Sequence, residues 1–289
     1  MKPSIAVIDI GSNSVRLMLA GTEQGRVRAL SKELISTRLA RGIDRTHALS
    51  EDRMTDTVKA IGAFRKKADA FGIPVIAYAT SAVRDADNRE AFVSRVRNET
   101  GVRVRVLSGE QEGAFAFRAA TGGKGSVFDI GGGSFQIVTG YRALSFPCGC
   151  VRAKEHCDAS DKDTLIETLF LWMDERSEVP GSVPAPVYGV GGTITSIGAL
   201  LAKQVRYDPT RLETITLLNL DELLTRLCAI AEPVRMQHPL LLSRGDVILH
   251  GAAILRYMMV RTHTNAVIPV DRDGMEGIAE AFLNGELTE

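Results

Sequence analysis

Two stretches of this chain are copies of one another. Residues 7–18 read Val-Ile-Asp-Ile-Gly-Ser-Asn-Ser-Val-Arg-Leu-Met, and residues 127–138 read Val-Phe-Asp-Ile-Gly-Gly-Gly-Ser-Phe-Gln-Ile-Val. The offset of 120 positions sets Asp9 over Asp129, Gly11 over Gly131 and Ser14 over Ser134. In each copy an apolar strand enters a tight polar turn and leaves along a second strand, which describes a β-hairpin. Two unrelated hairpins with glycine turns would match over the turn alone. A match that extends into both flanks, near the start of each half of the chain, points to a duplicated lobe.

The segments downstream of the two hairpins also run parallel. After the first come a third strand, Val27 to Ile35, and a helix from Ser50 to about Phe71 with Met54, Val58, Ile61, Ala68 and Phe71 as its apolar stripe. Ser50 suits the N-cap, Leu49 staples onto Met54, and Gly72 and Pro74 stop the helix. A strand at Val75 to Ala79, a helix after Asn88, a strand at Val102 to Leu107 and a helix from about Glu110 come next. The second hairpin leads to a strand near Ala143 to Phe146, a helix from Asp161 to about Arg176, a strand at Val187 to Val190 and a helix from about Thr193. Further helices are expected near Asp221 to Ala231 and Asp246 to Thr262.

Strands that open a segment and then alternate with helices imply an α/β lobe with a mixed sheet. The expected fold class is therefore α/β in two domains, residues 1–123 and 124–289, with a cleft between them and extra helices in the second. The 289 residues suffice for each domain to bury its own core. Thr121-Gly-Gly-Lys-Gly-Ser126 lacks the spacing of a P-loop and reads as the linker. Asp271-Arg-Asp-Gly274 lacks the remaining ligands of a calcium loop and reads as the cap of a final helix that returns to the first domain.

The formal charge is zero, from 35 basic and 35 acidic residues, so a non-specific nucleic-acid binder is not expected. Of the basic residues 26 are Arg and 9 are Lys, a bias that suits phosphate contacts and equally arises from codon usage. No apolar run is long enough to span a bilayer, and Ser4 to Ile8 enters a strand without a basic head or cleavage site, so no membrane partner and a cytoplasmic address are expected. Cys148, Cys150, Cys157 and Cys228 are expected as reduced thiols; with His156 the first three fit no zinc spacing. The five histidines form no ligand-like pair.

Asp-x-Gly-x-x-Ser in a hairpin turn has the makings of a phosphate loop. Glycines leave backbone N–H groups exposed, and Ser14 and Ser134 add hydroxyl donors. The aspartates would repel phosphate and each other unless a divalent cation stands between them and the anion; Mg²⁺ is the natural choice for oxygen ligands. Without phosphate, the same Asp side chains would cap their own turns. Gly189-Val-Gly-Gly-Thr193 lies where a strand becomes a helix, either as an anion site or as a tight turn with Thr193 as N-cap. Thr80-Ser-Ala-Val-Arg-Asp-Ala-Asp-Asn88 puts Arg84 at the C-terminal end of a strand, where ligands bind in open α/β sheets; the alternative is a surface pair with Asp85 or Asp87. In Ser108-Gly-Glu-Gln-Glu-Gly113, Glu110 and Glu112 either favour the positive helix start or supply a carboxylate that deprotonates water.

Taken in order, Asp9-Ile-Gly-Ser-Asn-Ser14, Thr80 to Asn88, Ser108-Gly-x-x-Glu112, Asp129-Ile-Gly-Gly-Gly-Ser134 and Gly191-Gly-Thr193 resemble the exopolyphosphatase/guanosine pentaphosphate phosphohydrolase family, within the superfamily of acetate kinase, sugar kinases, Hsp70 and actin. The resemblance implies two ribonuclease H-like (actin-like ATPase) domains and the hydrolysis of a terminal phosphoanhydride of inorganic polyphosphate or guanosine pentaphosphate. It implies that Glu112 is the base and that Arg84 holds the terminal phosphate. Phosphate would be bound by the turn Gly11, Ser12, Asn13 and Ser14, the turn Gly131, Gly132, Gly133 and Ser134, and Gly191, Gly192 and Thr193. Asp129, with Asp9 and Glu112, would hold Mg²⁺ or Mn²⁺. A homodimer is compatible with the resemblance. The family often carries a second Glu where Gln111 stands. Longer members continue into helical domains that grip long polyphosphate, so a chain ending at Glu289 is not expected to digest long polymers processively. A superfamily kinase or a non-catalytic phosphate sensor are the remaining readings; nothing in the sequence supplies a recognisable acceptor pocket.

Overall fold

A computed structural model of the chain describes residues 1–23, 26–140, 142–157 and 161–287. Its contacts divide the chain into two units, Met1–Ala119 with Gly274–Glu289, and Ala120–Asp273.

The first unit opens with β1 (Ile5–Ile10), β2 (Ser14–Glu23) and β3 (Arg26–Ser36). The short α1 (Ile43–Thr46) precedes α2 (Glu51–Asp69), β4 (Val75–Ala79) and the single turn α3 (Ser81–Arg84). Next come α4 (Arg89–Thr100), β5 (Val104–Val106) and α5 (Gly109–Thr121). The sheet order is β3-β2-β1-β4-β5, with β1, β2 and β3 antiparallel and β4 and β5 parallel to β1. A three-strand meander continued by parallel strands is the ribonuclease H-like arrangement. All six residues of β1 are buried, as a central strand covered on both faces must be.

The expected stripe of α2 is buried at Met54, Val58, Ile61 and Ala68, but Phe71 lies two residues past the helix and is 55% exposed. Gly72 at φ 63° ends the turn there, in the left-handed region that favours glycine. Ser50 occupies the N-cap position without capping: its hydroxyl lies 2.6 Å from Asp52 Oδ1 and makes its bond there.

The second unit runs β6 (Ser126–Ile130), β7 (Phe135–Thr139), β8 (Arg142–Phe146), α6 (Cys150–His156) and α7 (Lys162–Asp174). It continues with β9 (Val187–Val190), α8 (Gly191–Leu201), a 3₁₀ turn at Pro209–Arg211, β10 (Ile215–Thr216) and α9 (Leu217–Cys228). It ends with α10 (Glu232–Arg235), α11 (Ile248–Arg261) and β11 (Ala266–Pro269). The order β10-β11-β9-β6-β7-β8 repeats the first sheet strand for strand and adds β10 at the edge, antiparallel to β11. Asp161 caps α7, accepting from the Thr164 amide at 2.9 Å. Strands β10 and β11 were not expected from the sequence.

The chain then returns to the first unit through α12 (Gly274–Leu283), which packs on β1 and β3. Met275, Ile278 and Ala279 join Ile5, Val7 and Tyr78 in one core. Glu276 of this helix, 3% exposed, is paired with Lys32 on β3 at 2.7 Å. No helix among the described residues is long and apolar enough to cross a membrane.

Candidate active site

The two hairpin turns are built alike. The Gly11 amide donates to Ser14 O at 3.0 Å and the Gly131 amide to Ser134 O at 2.9 Å. A Cβ at Gly11 would lie 3.1 Å from Ser14 O, and one at Gly131 would lie 3.3 Å from Ser134 O, so each turn closes tightly on its glycine. In both units the chain after the third strand folds back onto the turn and takes up its carbonyls. Asn13 O accepts from the amides of Thr37 and Arg38, and Ser12 O from Ala40. In the second unit the Cys150 amide donates to Gly131 O at 3.0 Å and the Val151 amide to Gly132 O at 2.8 Å. The amides of Gly132 and Gly133 donate to no backbone carbonyl among the described residues. A turn with its carbonyls occupied and its amides uncommitted is suited to an anion.

Below the first turn lies the loop that carries Arg84. Ser12 and Ser81 share a buried hydroxyl contact of 2.9 Å, and the Thr80 amide donates to Ile10 O at 3.3 Å. Asn88 anchors the far end of the loop, exchanging two 2.9 Å bonds with the backbone of Leu49. Arg84 Nη1 donates to Leu107 O at 3.1 Å and to Glu112 Oε2 at 3.5 Å, while its Nε lies 3.4 Å from Asp85 Oδ1. The residue therefore makes the Asp85 contact of a surface arginine and also faces Glu112.

The structure separates the two glutamates of α5. Glu110 is exposed, whereas the Glu112 side chain is 17% exposed and turned to Arg84. Gln111 has a structural task. Its amide donates to Ser108 Oγ at 3.1 Å and its Oε1 accepts from the Ser108 amide at 3.0 Å, a reciprocal capping box at the start of the helix. A Gln serves that box without adding a charge beside Glu112.

The aspartates differ between the units. Register pairs Asp9 with Arg16 and Asp129 with Gln136. Asp9 is 4% exposed and accepts from Arg16 Nε at 2.8 Å as well as from Arg16 Nη2. Both bonds go to Oδ2, so Arg16 compensates that oxygen of the buried carboxylate. Gln136 instead donates to Ser134 Oγ at 2.9 Å and carries no charge. Asp129 lies against the strand-to-helix turn: Gly191 sits at φ 80°, and a Cβ there would come within 2.6 Å of Asp129 Oδ1. Both facts call for glycine at 191. Thr193 is inside the first turn of α8, whose cap is Val190, so the plain N-cap reading of Thr193 is overturned by the helix starting two residues earlier.

No group of three or more His, Cys, Asp or Glu among the described residues gathers as a metal cage. The acidic candidates Asp9, Asp129 and Glu112 offer oxygen ligands, the kind Mg²⁺ takes one or two of beside waters and phosphate oxygens.

Arg244 was not anticipated. Its guanidinium packs on Gly192 so closely that a Cβ there would meet Nη1 at 1.9 Å. It brings a cation to the Gly-Gly-Thr turn from 52 positions away, on a loop whose local sequence gives no hint of it. The buried Cys150 thiol lies beside Thr193 and within reach of the Arg244 charge. Burial nonetheless pushes the thiol up to about 11, and burial likewise pushes Cys157 up to about 11. Both thiols then stay protonated in the folded chain at a pH where the unfolded chain has lost those protons, so stability falls as pH rises from about 9 toward about 11. Melting temperature measured over that range should drop less steeply in a Cys150→Ala, Cys157→Ala double variant than in the parent. Equal slopes would refute the assignment.

Two α/β units of ribonuclease H-like topology, each with glycine turns, a guanidinium and a carboxylate, define a phosphoryl-handling protein. The chain matches the model of the Ppx/GppA phosphatase family over residues 7–282. It is 30% identical to exopolyphosphatase 2 of Mycobacterium tuberculosis, over 95% of this chain and 97% of that one. The crystal structure of the Aquifex aeolicus member of the Ppx/GppA family, 30% identical, superimposes with a TM-score of 0.79 over 99% of both chains. An exopolyphosphatase from Cytophaga hutchinsonii, 22% identical, shares the fold with a TM-score of 0.81 over 97% of this chain and 98% of that one. The chain belongs to the Ppx/GppA phosphatase family, and it is a phosphoanhydride hydrolase of actin-like fold.

Proposed function

We propose that the chain is an exopolyphosphatase, releasing orthophosphate from the end of inorganic polyphosphate. The observation that carries this reading is the 3.5 Å approach of Arg84 Nη1 to Glu112 Oε2 beside the first glycine turn. A guanidinium that binds the terminal phosphate there leaves the carboxylate beside the same phosphate. Glu112 accepts a proton from water as the water oxygen bonds to the terminal phosphorus. The anhydride P–O bond breaks, and the shortened chain leaves with the bridging oxygen. Catalysis is then mostly positioning and charge neutralisation. Arg84 holds the phosphate being transferred. The turns Gly11 to Ser14 and Gly131 to Ser134, with Gly191, Gly192 and Thr193, bind phosphate oxygens, and Arg244 adds a second cation.

Asp129, with Asp9 and Glu112, would hold Mg²⁺, which when bound neutralises charge on the phosphates. Asp9 would share its carboxylate with Arg16, which donates to Oδ2. The family name keeps a second substrate in play, the 5′ terminal phosphate of guanosine pentaphosphate. The names of the relatives favour polyphosphate.

The decisive assay is orthophosphate release from tripolyphosphate, long-chain polyphosphate and guanosine pentaphosphate, each with Mg²⁺ and with EDTA. Release from the two polyphosphates and dependence on Mg²⁺ are expected. Release from guanosine pentaphosphate alone would transfer the protein to the second substrate, and phosphate transfer to an acceptor in place of water would mark a kinase.

A further inference from the structure

The first sheet has a notch at one end, and the notch is basic. Strand β5 pairs with β4 only from Ala77 to Ala79, so Val75 and Ile76 pair with β1 on one side and have no strand partner on the other among the described residues. A groove of about 540 Å³ opens there, lined by Val75, Ala77 and Gly101 and by three arginines, Arg65, Arg103 and Arg105. Arg65 comes from α2. Arg105 lies on β5 and Arg103 just before it, and both are exposed and line the groove.

No Asp or Glu is among the described residues lining the groove. Arg103 makes no ion pair among the described residues, and Arg65 keeps an exposed i,i+4 pair with Asp69 at 2.8 Å that cancels little of its field. Nor do the described lining residues include an aromatic side chain on which a base would stack. With Arg103 and the weakly compensated Arg65 at its rim, the groove selects an extended anion by charge.

We propose that this notch is a second binding site for linear condensed phosphate, apart from the reacting end. This inference rests on the exopolyphosphatase reading for its choice of ligand. The groove floor is at Val75 and the Arg84 loop begins at Thr80, about 16 Å further along the strand at its usual rise per residue. A ligand of two or three phosphates therefore reaches one place or the other, and a long chain reaches both. The site raises the affinity for long chains by holding a distant stretch of the same polymer close to the reacting end.

The test is a charge reversal at two exposed positions that the reaction does not use, Arg103→Glu with Arg105→Glu, accompanied by the milder Arg103→Gln with Arg105→Gln. Equilibrium binding of long-chain polyphosphate is measured in EDTA, where turnover is suppressed, at two salt concentrations. Kinetics are measured with long-chain polyphosphate and with tripolyphosphate. The expected result is roughly tenfold weaker binding of the long chain, with a shallower salt dependence, and a similar rise in its KM. The glutamine pair should fall between, and kcat/KM for tripolyphosphate should stay within about twofold of the parent.

Unchanged long-chain binding in both variants, or no binding by the parent, overturns the proposal. Equal, arginine-dependent binding of an RNA oligonucleotide would reassign the groove to nucleic acid. If the parent binds polyphosphate through these arginines but does not hydrolyse it, the groove stands and the exopolyphosphatase reading falls. If it hydrolyses polyphosphate with the same KM in parent and variants, the reverse holds.

Discussion

Glu112→Gln is expected to lower kcat for orthophosphate release by about 10²- to 10⁴-fold, the usual contribution of a positioned general base. The substitution is nearly isosteric, and the amide oxygen can still accept from Arg84 Nη1, so the arrangement around the helix start persists. The capping box of α5 rests on Ser108 and Gln111, not on residue 112, and is untouched. Melting temperature should therefore move little while activity collapses. Glu110→Gln is the matched control: it neutralises an exposed carboxylate two residues away on the same turn, and should leave kcat near that of the parent. A comparable loss in both variants would mean that the helix start needs negative charge in general, and a Glu112→Gln enzyme retaining more than about a tenth of the parent kcat would remove Glu112 from the role of base. Arg84→Lys should also fail to restore full activity, because Arg84 spends one arm of its fork on Leu107 O and a lysine cannot hold that carbonyl and a phosphate in the same geometry.

The sequence carried its information unevenly, and the reason is range. The hairpins were legible because a strand, a glycine turn and a strand are specified within about a dozen neighbouring residues, and the repeat at Asp129 confirmed the pattern. The meander-then-parallel order of both sheets came from the order of elements. The cap on α5 was also written locally, as Ser108-x-x-Gln111, yet the flanking glutamates, whose charges dominate that segment, obscured it.

Other features needed the fold. Arg244 reaches Gly192 only because the loop before α11 returns to the second sheet, and nothing near residue 244 announces that. The Asp9–Arg16 pair was visible in principle, since the same offset that aligns the aspartates sets Arg16 over Gln136, the one position in the hairpin where a charge is present in one copy and absent in the other. Strand β11 escaped because four residues ending in Pro269 carry too little alternation to read, and its place beside β9 comes from the sheet that receives it. Phe71 misled for the opposite reason: it continued the helical period on paper although the helix has already ended in space, at the turn that Gly72 closes.

Gly149→Ala should be among the most damaging single-methyl additions in the second unit, and the structure says why. Its φ of −85° and ψ of 171° are open to any residue, so an alanine there carries no backbone strain. What it lacks is room. A Cβ would lie 2.4 Å from the carbonyl carbon and oxygen of Gly132 and 2.4 Å from the Ser134 amide nitrogen, all of them backbone atoms of the glycine turn. A side chain in the way could swing aside, but a turn fixed by Gly131 N to Ser134 O and clamped by the amides of Cys150 and Val151 can only move as a whole. Overpacking of this kind typically costs about 1–3 kcal/mol of stability. The larger effect is on the reaction, because the displaced atoms include the Ser134 amide and the turn amides proposed to bind phosphate, where a shift of about 1 Å is enough to cost on the order of 10²-fold. Gly181→Ala supplies the comparison, with nothing within 4 Å of its Cβ and no left-handed backbone, and should match the parent in both melting temperature and orthophosphate release. Should Gly149→Ala melt lower and yet turn over at the parental rate, the turn would be a structural hinge of the sheet with no part in binding phosphate, and the anion would have to be held by the Gly191 turn and Arg244 instead.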